Sequence, residues 1–394
     1  MKSIFAVVLV LSAAYCPNQA VADSKSHNLT VGSGPNCLSP DYSHIQDAVN
    51  AAAYGAEIRV CQGLYDETIS ITRSVHLRGN PGAVVMPSHL LSNADSLVTG
   101  SPLSAIIRAL NADEVTVSGI TVDAGAASIA ECSPELIGIL FQNSSGEIKQ
   151  NTVRSTNLAP NLNGCQSGLG IFAQSGNGGS TQVLIAENII REYQKNGITA
   201  NELGTIATIR DNELIGLGST TGAAQNGIQL GYGAAGEISH NFITGHIWAP
   251  CVSPTQCQYF STGILIEQSD HIEMKGNNVG NNQVNIFVNG RDAHISEGNN
   301  LYGSVVLDSV QLLGDDAIID GGNRIVSSAR AGVAVLGNNV TIRNTKFINA
   351  PIGILKASTA FGLVHDRNEY IDVDEAVVDP APSAVTAGSH APIR

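Results

Sequence analysis

One short unit returns along the whole chain and limits what it can fold into. It reads GILFQ from Gly138, GIFAQ from Gly170, GITAN from Gly197, GIQLG from Gly227, GILIE from Gly263, NIFVN from Asn285, GVAVL from Gly332 and GILKA from Gly353. Each copy is a short alternating strand entered through a small residue, and the spacing between copies runs from roughly 20 to 36 residues, apart from the 47 between Asn285 and Gly332. A second unit follows most copies and ends in asparagine: Asn151, Asn188, Asn212, Asn241, Asn344 and Asn368. Two short strands per period cannot bury both their faces alone, whereas stacked coils can. The pattern predicts an all-β parallel solenoid, each coil adding a strand to each of several sheets at a spacing of about 4.8 Å. The asparagines would form an internal amide ladder, each satisfying its neighbour. A leucine-rich repeat is the rival, but its Leu-x-x-Leu-x-Leu frame and helical return segments are missing.

Composition fits short strands and tight turns: 41 glycines, 14% charged residues and 5% aromatics in 394 residues. Residues 1–22 carry one early lysine, an apolar run from Ile4 to Ala14, and Ala20 and Ala22 around Val21. They read as a signal peptide cleaved after Ala22, which predicts a secreted or periplasmic protein. Bulky Tyr15 argues against a lipoprotein signal at Cys16, and no later apolar stretch reaches the roughly 20 residues of a membrane span. The formal net charge of −14 argues against nucleic acid as a partner. It would also repel an anionic polysaccharide unless a cation or a local Lys/Arg cluster offsets the field.

Without Cys16, six cysteines remain, an even count that suits disulfides in an oxidising compartment. Sequence order suggests Cys37 with Cys61, Cys132 with Cys165 and Cys251 with Cys257, although six cysteines admit other connectivities. A solenoid needs covered ends. In SHIQDAVNAAA, Ser43 and Gln46 would make a capping box, with Ile45, Ala48, Val49 and Ala52 on one helical face. The domain should run from 23 to 375, with 376–394 a disordered tail rich in Pro, Ala and Ser.

The stretch YSHIQDAVNAAAYGAEIRVCQGLYDETISITRSVHLRGN resembles the N-terminal region of pectin-lyase-like, right-handed parallel β-helix proteins, and VTVSGITVDAG and the Gly-Ile units resemble their coil repeats. The resemblance spans roughly Leu29 to Val373. It implies a right-handed, single-stranded β-helix with an N-terminal capping helix, in a superfamily of polyuronate lyases, glycoside hydrolases, epimerases, tailspikes and adhesins. Activity motifs do not transfer. Of the four polygalacturonase motifs only Asp315-Asp316 is present, and the one Asp-Pro, Asp379-Pro380, is followed by Ala rather than the His of mannuronan epimerases. Polyuronate lyases of this fold often use calcium, but no EF-hand or Asp-rich repeat is present, so no metal or other cofactor is assigned.

The repeat itself offers a register. The residue before the ladder asparagine reads Gln150, Glu187, Asp211, His240, which places three ionisable groups in one column about 5 Å apart. Such a column could act as a general acid and base, so Glu187, Asp211 and His240 are the candidate catalytic residues. Lys149 and Arg210, one position earlier, could neutralise a uronate carboxylate or serve as the base of a β-elimination. The competing reading is a row of solvated turn residues. A further column, Gln142, Gln174, Asn201, Glu267 and Asn289, could bind sugar hydroxyls or form turns. The longest insertion, 244–263, holds the only tryptophan, Trp248, with Tyr259 and Phe260, and with Tyr232 a coil earlier it suggests a platform for a sugar ring. Its competing reading is a loop packed onto Leu140, Phe172, Leu265 and Phe287, which alternate to the outside. The functions expected are a carbohydrate-active enzyme on a polysaccharide (lyase, hydrolase or epimerase) or a non-catalytic glycan-binding or structural solenoid.

Overall fold

The computed structural model describes residues 28–32, 37–125, 127 and 129–379. The expected signal peptide and residues 380–394 of the expected tail lie outside the described residues. The last strand, Glu369–Val378, reaches into the stretch read as tail.

The described chain is wound into stacked coils with three strand columns. The entry column holds the Gly-Ile units, for example Leu169–Gln174, Asn196–Asn201, Asn226–Gly231 and Thr262–Glu267, all parallel and in register. The middle column is a sheet of 13 strands running from Asn28–Val31 to Val364–Asp366. The third column follows the asparagine turn, as in Ile189–Arg191, Glu213–Thr220 and Phe242–Trp248. The long strand Lys346–Lys356 joins the third column to the entry column. Inward residues of all three columns form one continuous core from Leu29 to Ala360. This is a right-handed parallel β-helix.

The leading glycine of the entry unit is fixed by close approach. A Cβ on Gly170 would lie 2.5 Å from the carbonyl of Gly197, and one on Gly227 2.5 Å from that of Gly263. No side chain fits between coils at these two positions, so glycine opens the entry unit there.

The asparagine ladder runs inside the turn between the middle and third columns. The amide of Asn212 donates to the carbonyls of Ile185 and Arg210 and to Oδ1 of Asn241, while its own Oδ1 accepts from the backbone N–H and side-chain amide of Asn188. The ladder also contains Asn277, Asn299 and Asn323. Asn344 is not one of its members: Thr345 occupies that rung and donates its N–H to Asn368. Asn344 instead takes the left-handed corner before it, with φ of 49°.

The capping helix spans Ile45–Ala51, and Ile45, Ala48, Val49 and Ala52 are buried as expected. The expected capping box does not form. The carboxylate of Glu67 caps the helix, accepting the N–H groups of Ile45 and Gln46 at 2.8 and 2.9 Å. Gln46 turns away to exchange hydrogen bonds with the backbone of Ser70. The three disulfides join Cys37 to Cys61, Cys132 to Cys165 and Cys251 to Cys257.

Candidate functional site

The outward residues of the three columns meet different surroundings. On the entry column the outer face is covered. Leu140, Phe172, Leu265 and Phe287 are buried, the first pair with Leu103 and Ala105, the second with Phe260, Cys251 and Leu307. The amide column expected to reach sugar hydroxyls is largely consumed within the protein. Gln142 donates to Gln174, Gln174 to Ser96, Gln229 to Asn201, and Asn289 to both carboxylate oxygens of Glu267.

The middle column is open on its outer face. Alternation sends rows of side chains outward, and two of these rows carry most of the ionisable groups. One row reads Glu57, His76, Thr116, Glu147, Leu184, Thr208, Glu237, Glu273, His294. The other reads Arg59, Arg78, Ser118, Lys149, Ala186, Arg210, Ser239, Lys275. At the N-terminal end the face sinks into two adjoining grooves of about 540 and 350 Å³ that share His76, Thr116 and Glu147. His76 Nδ1 lies 2.9 Å from the Thr116 hydroxyl, and Lys149 pairs with Glu147. Glu57 stands 3.4 Å from Arg59 and 3.9 Å from Arg78, whose side chains are 57% and 59% exposed and so open to a ligand.

Toward the C-terminus the same face carries a denser set of pairs. Lys275 bridges Glu273 and Glu237, and Asp320 accepts from His294 at 2.8 Å and Arg343 at 3.1 Å. The bond from Lys275 holds the Glu273 carboxyl below its usual range. At Asp320 burial acts to raise the pKa, and the hydrogen bonds from His294 and Arg343 together overcome it and lower it.

The sequence-derived site residues fall in three places. Glu187, Asp211 and His240 do stack in one column, at the corner that borders the open face. Their φ angles are 56°, 56° and 55°, and Gly276, Gly298 and Gly322 occupy the same corner in later coils. The corner therefore selects residues that tolerate the left-handed region, and it turns these three side chains into solvent. Glu187 accepts from Gln150 at 2.9 Å and Asp211 from Arg210 at 2.5 Å, and neither groove includes the three. Lys149 lines the smaller groove, with Arg210 two strands further along its row. Tyr232 lies at the opposite edge of the face, in the turn between the entry and middle columns, and donates its N–H to Glu267.

Trp248 and Tyr259 belong to a third place, the cover of the entry column. Their rings meet edge to face at 5.7 Å, Phe260 packs on Phe287 at 5.3 Å, and Trp248 Nε1 donates to the carbonyl of Gly222 at 2.9 Å. The insertion thus packs as its competing reading anticipated, with Trp248 half-buried and Tyr259 at the surface. Asp315 and Asp316 bridge coils, accepting from Asn338 and from Arg291 and Asn339.

Sequence reasoning missed His76, Thr116 and Glu147. For His76 and Glu147 the signal was an acid or histidine followed two residues later by a base: Glu57 and Arg59, His76 and Arg78, Glu147 and Lys149, Glu273 and Lys275; Thr116, followed by Ser118, carried none. That spacing puts both partners on one face of a strand. Among the described residues no group of three or more His, Cys, Asp or Glu is placed to hold a metal ion. No described helix is long and apolar enough to cross a membrane.

No protein-family model matches the chain, and no curated protein matches it by sequence. Solved structures do. Tailspike protein 2 of the Escherichia coli O157:H7 bacteriophage CAB120 is similar at 13% identity and a TM-score of 0.53, over 81% of this chain and 43% of that one. The DFA-IIIase of Arthrobacter chlorophenolicus A6 is similar at 12% identity and a TM-score of 0.50, over 90% and 87% of the two chains. What is shared is the fold.

Proposed function

We propose that this is an exported protein that binds an extended polysaccharide along the open face of the 13-stranded sheet. One observation carries the reading: two adjoining grooves on a flat parallel face, lined by outward polar rows that repeat at the coil spacing of about 4.8 Å. The row of Arg59, Arg78, Lys149 and Arg210 gives the carboxylates of acidic sugars their partners. Each of them stands beside a carboxylate of Glu57, Glu147 or Asp211, so a bound uronate would exchange for an ion-pair partner on a mixed-charge face. His76, Thr116 and Gln182 would hydrogen-bond hydroxyls, and Leu184 and Ile206 offer apolar contact to a ring. Three disulfides and the signal-like residues 1–22 support export.

A second reading adds chemistry at the rim, because Glu187, Asp211 and His240 border the same face in consecutive coils. There Asp211 or Glu187 would move a proton at the glycosidic oxygen or at water, with Lys149 or Arg210 facing a uronate carboxylate. The mature protein is tested against a polysaccharide panel for binding and for product, with and without calcium. Binding of an acidic polysaccharide supports the proposal, and binding of none overturns it. Product that disappears in the Glu187→Gln, Asp211→Asn double variant assigns chemistry to the rim; binding without product makes the protein a glycan-binding solenoid.

A further inference from the structure

Away from the open face, two cavities of about 360 and 400 Å³ adjoin where loop 155–168 meets the end of the strand Glu213–Thr220. They share Asn157, Leu158 and Pro160. Their chemistry is the reverse of the groove's, since among the described residues no charged or titratable side chain lines either one.

The walls of the first cavity are held in place from behind. Gln194, 5% exposed, accepts the N–H of Leu158 and donates to the carbonyls of Leu162 and Cys165, which pins the loop to the coil beneath. The Cys132–Cys165 disulfide ties the same loop to the segment before Glu135–Gln142. On the other wall, Trp248 Nε1 holds the carbonyl of Gly222, and Asn163 accepts the N–H of Ala223 through its own carbonyl. The side chains of Asn157, Asn163, Ser219, Thr220 and Thr221, by contrast, make no hydrogen bond among the described residues. They stand around the apolar surfaces of Leu158, Pro160 and Leu217. Fixed walls, unengaged amides and hydroxyls, and small apolar patches match a ligand with hydroxyl edges and a C–H face. An anionic ligand would find no counter-charge here, in a chain whose net charge is −14.

We propose that this pair of cavities is a second saccharide site, which takes a neutral oligosaccharide and is separate from the acidic-glycan face. A single chain would then engage a neutral and an acidic carbohydrate at once. The inference does not rest on the first reading, and the two fail separately.

The chain contains one tryptophan, whose Nε1 holds the carbonyl of Gly222 in this cavity wall and which lines neither groove of the open face, so Trp248 emission is a readout placed beside this site. The mature protein is titrated with cello-, xylo-, manno- and laminari-oligosaccharides by calorimetry and Trp248 fluorescence. The expected result is saturable binding of at least one series with a change in Trp248 emission. The Kd should rise at least fivefold in the Asn157→Ala, Asn163→Ala double variant, and Thr116→Glu on the open face should leave it unchanged. Asn157 and Asn163 are exposed, so unchanged melting of the double variant is the control for folding. Absence of neutral-sugar binding, an unchanged Kd in the Asn157→Ala, Asn163→Ala double variant, or loss of binding in Thr116→Glu would overturn the proposal.

Discussion

The outer faces of the entry column and the 13-stranded sheet are built by the same coils, yet one is core and the other is surface. Phe287 on the first is fully buried beneath Phe260 and the Cys251–Cys257 loop, whereas Ile206 on the second is 48% exposed. The difference lies in the loops. Insertions after the third column fold back over the entry column, and the short turns on either side of the middle column leave that face open. Outward position in a solenoid therefore does not make a surface; the neighbouring loop lengths decide it.

Substitution should separate the two faces most strongly in apolar contacts. Phe287→Ala should cost about 3–5 kcal/mol, the usual range for a buried phenylalanine, whereas Ile206→Ala should stay within about 0.5 kcal/mol, both read from urea unfolding midpoints. Equal costs would mean that the loop does not cover the entry column in solution. The ladder runs in the turn between the middle and third columns, and Asn212→Ala strands donors and acceptors on both sides of it. A loss of about 3 kcal/mol is expected from these buried partners, while Asn344→Ala, outside the ladder, should cost far less. Opening the small loop between Cys251 and Cys257 by a double serine substitution should cost about 2 kcal/mol, the chain-entropy value for so short a closure. The same change should leave ligand binding on the open face untouched.

Ionisation sharpens the contrast further. Glu135 starts an entry strand on the covered side, and burial pushes its pKa up to about 7. A raised acid prefers its protonated form when folded, so its contribution is full below the ordinary carboxylate range and is lost as pH rises through about 7. Glu135→Gln should then match the wild type at pH 4 and exceed it by on the order of 1 kcal/mol at pH 8. Asp320 and Glu273 on the open face are shifted the other way. Their pairs contribute above the ordinary carboxylate range and weaken as pH falls through their lowered values. Thermal melts of the wild type and Glu135→Gln from pH 3 to 9 read both trends.

Much of the fold was legible because repetition amplifies weak local signals. Gly170, Gly197 and Gly227 are forced by carbonyls of the next coil, and the ladder asparagines by buried amides, so both recur at fixed positions in the coil. The rungs Asn277, Asn299 and Asn323 escaped because glycine fills the corner before them, which broke the apparent motif. The three disulfides join the pairs that sequence order suggested. The candidate site was harder to read. The column of Glu187, Asp211 and His240 is real as a register, but the register says nothing of the left-handed corner that carries it. Trp248 and Tyr259 stood out by rarity, and rarity does not distinguish a stacking platform from a cover. His76, Thr116 and Glu147 were hidden because their spacing spans irregular coils, and only strand pairing brings them side by side.

The central claim is that an acidic glycan lies on the open face of the 13-stranded sheet. Calorimetric titration of an acidic oligosaccharide into the wild type and the Arg78→Glu, Thr116→Glu double variant tests it most directly. With melting temperature unchanged, the account predicts at least a tenfold rise in Kd, or about 1.4 kcal/mol. An unchanged Kd in that variant would contradict it.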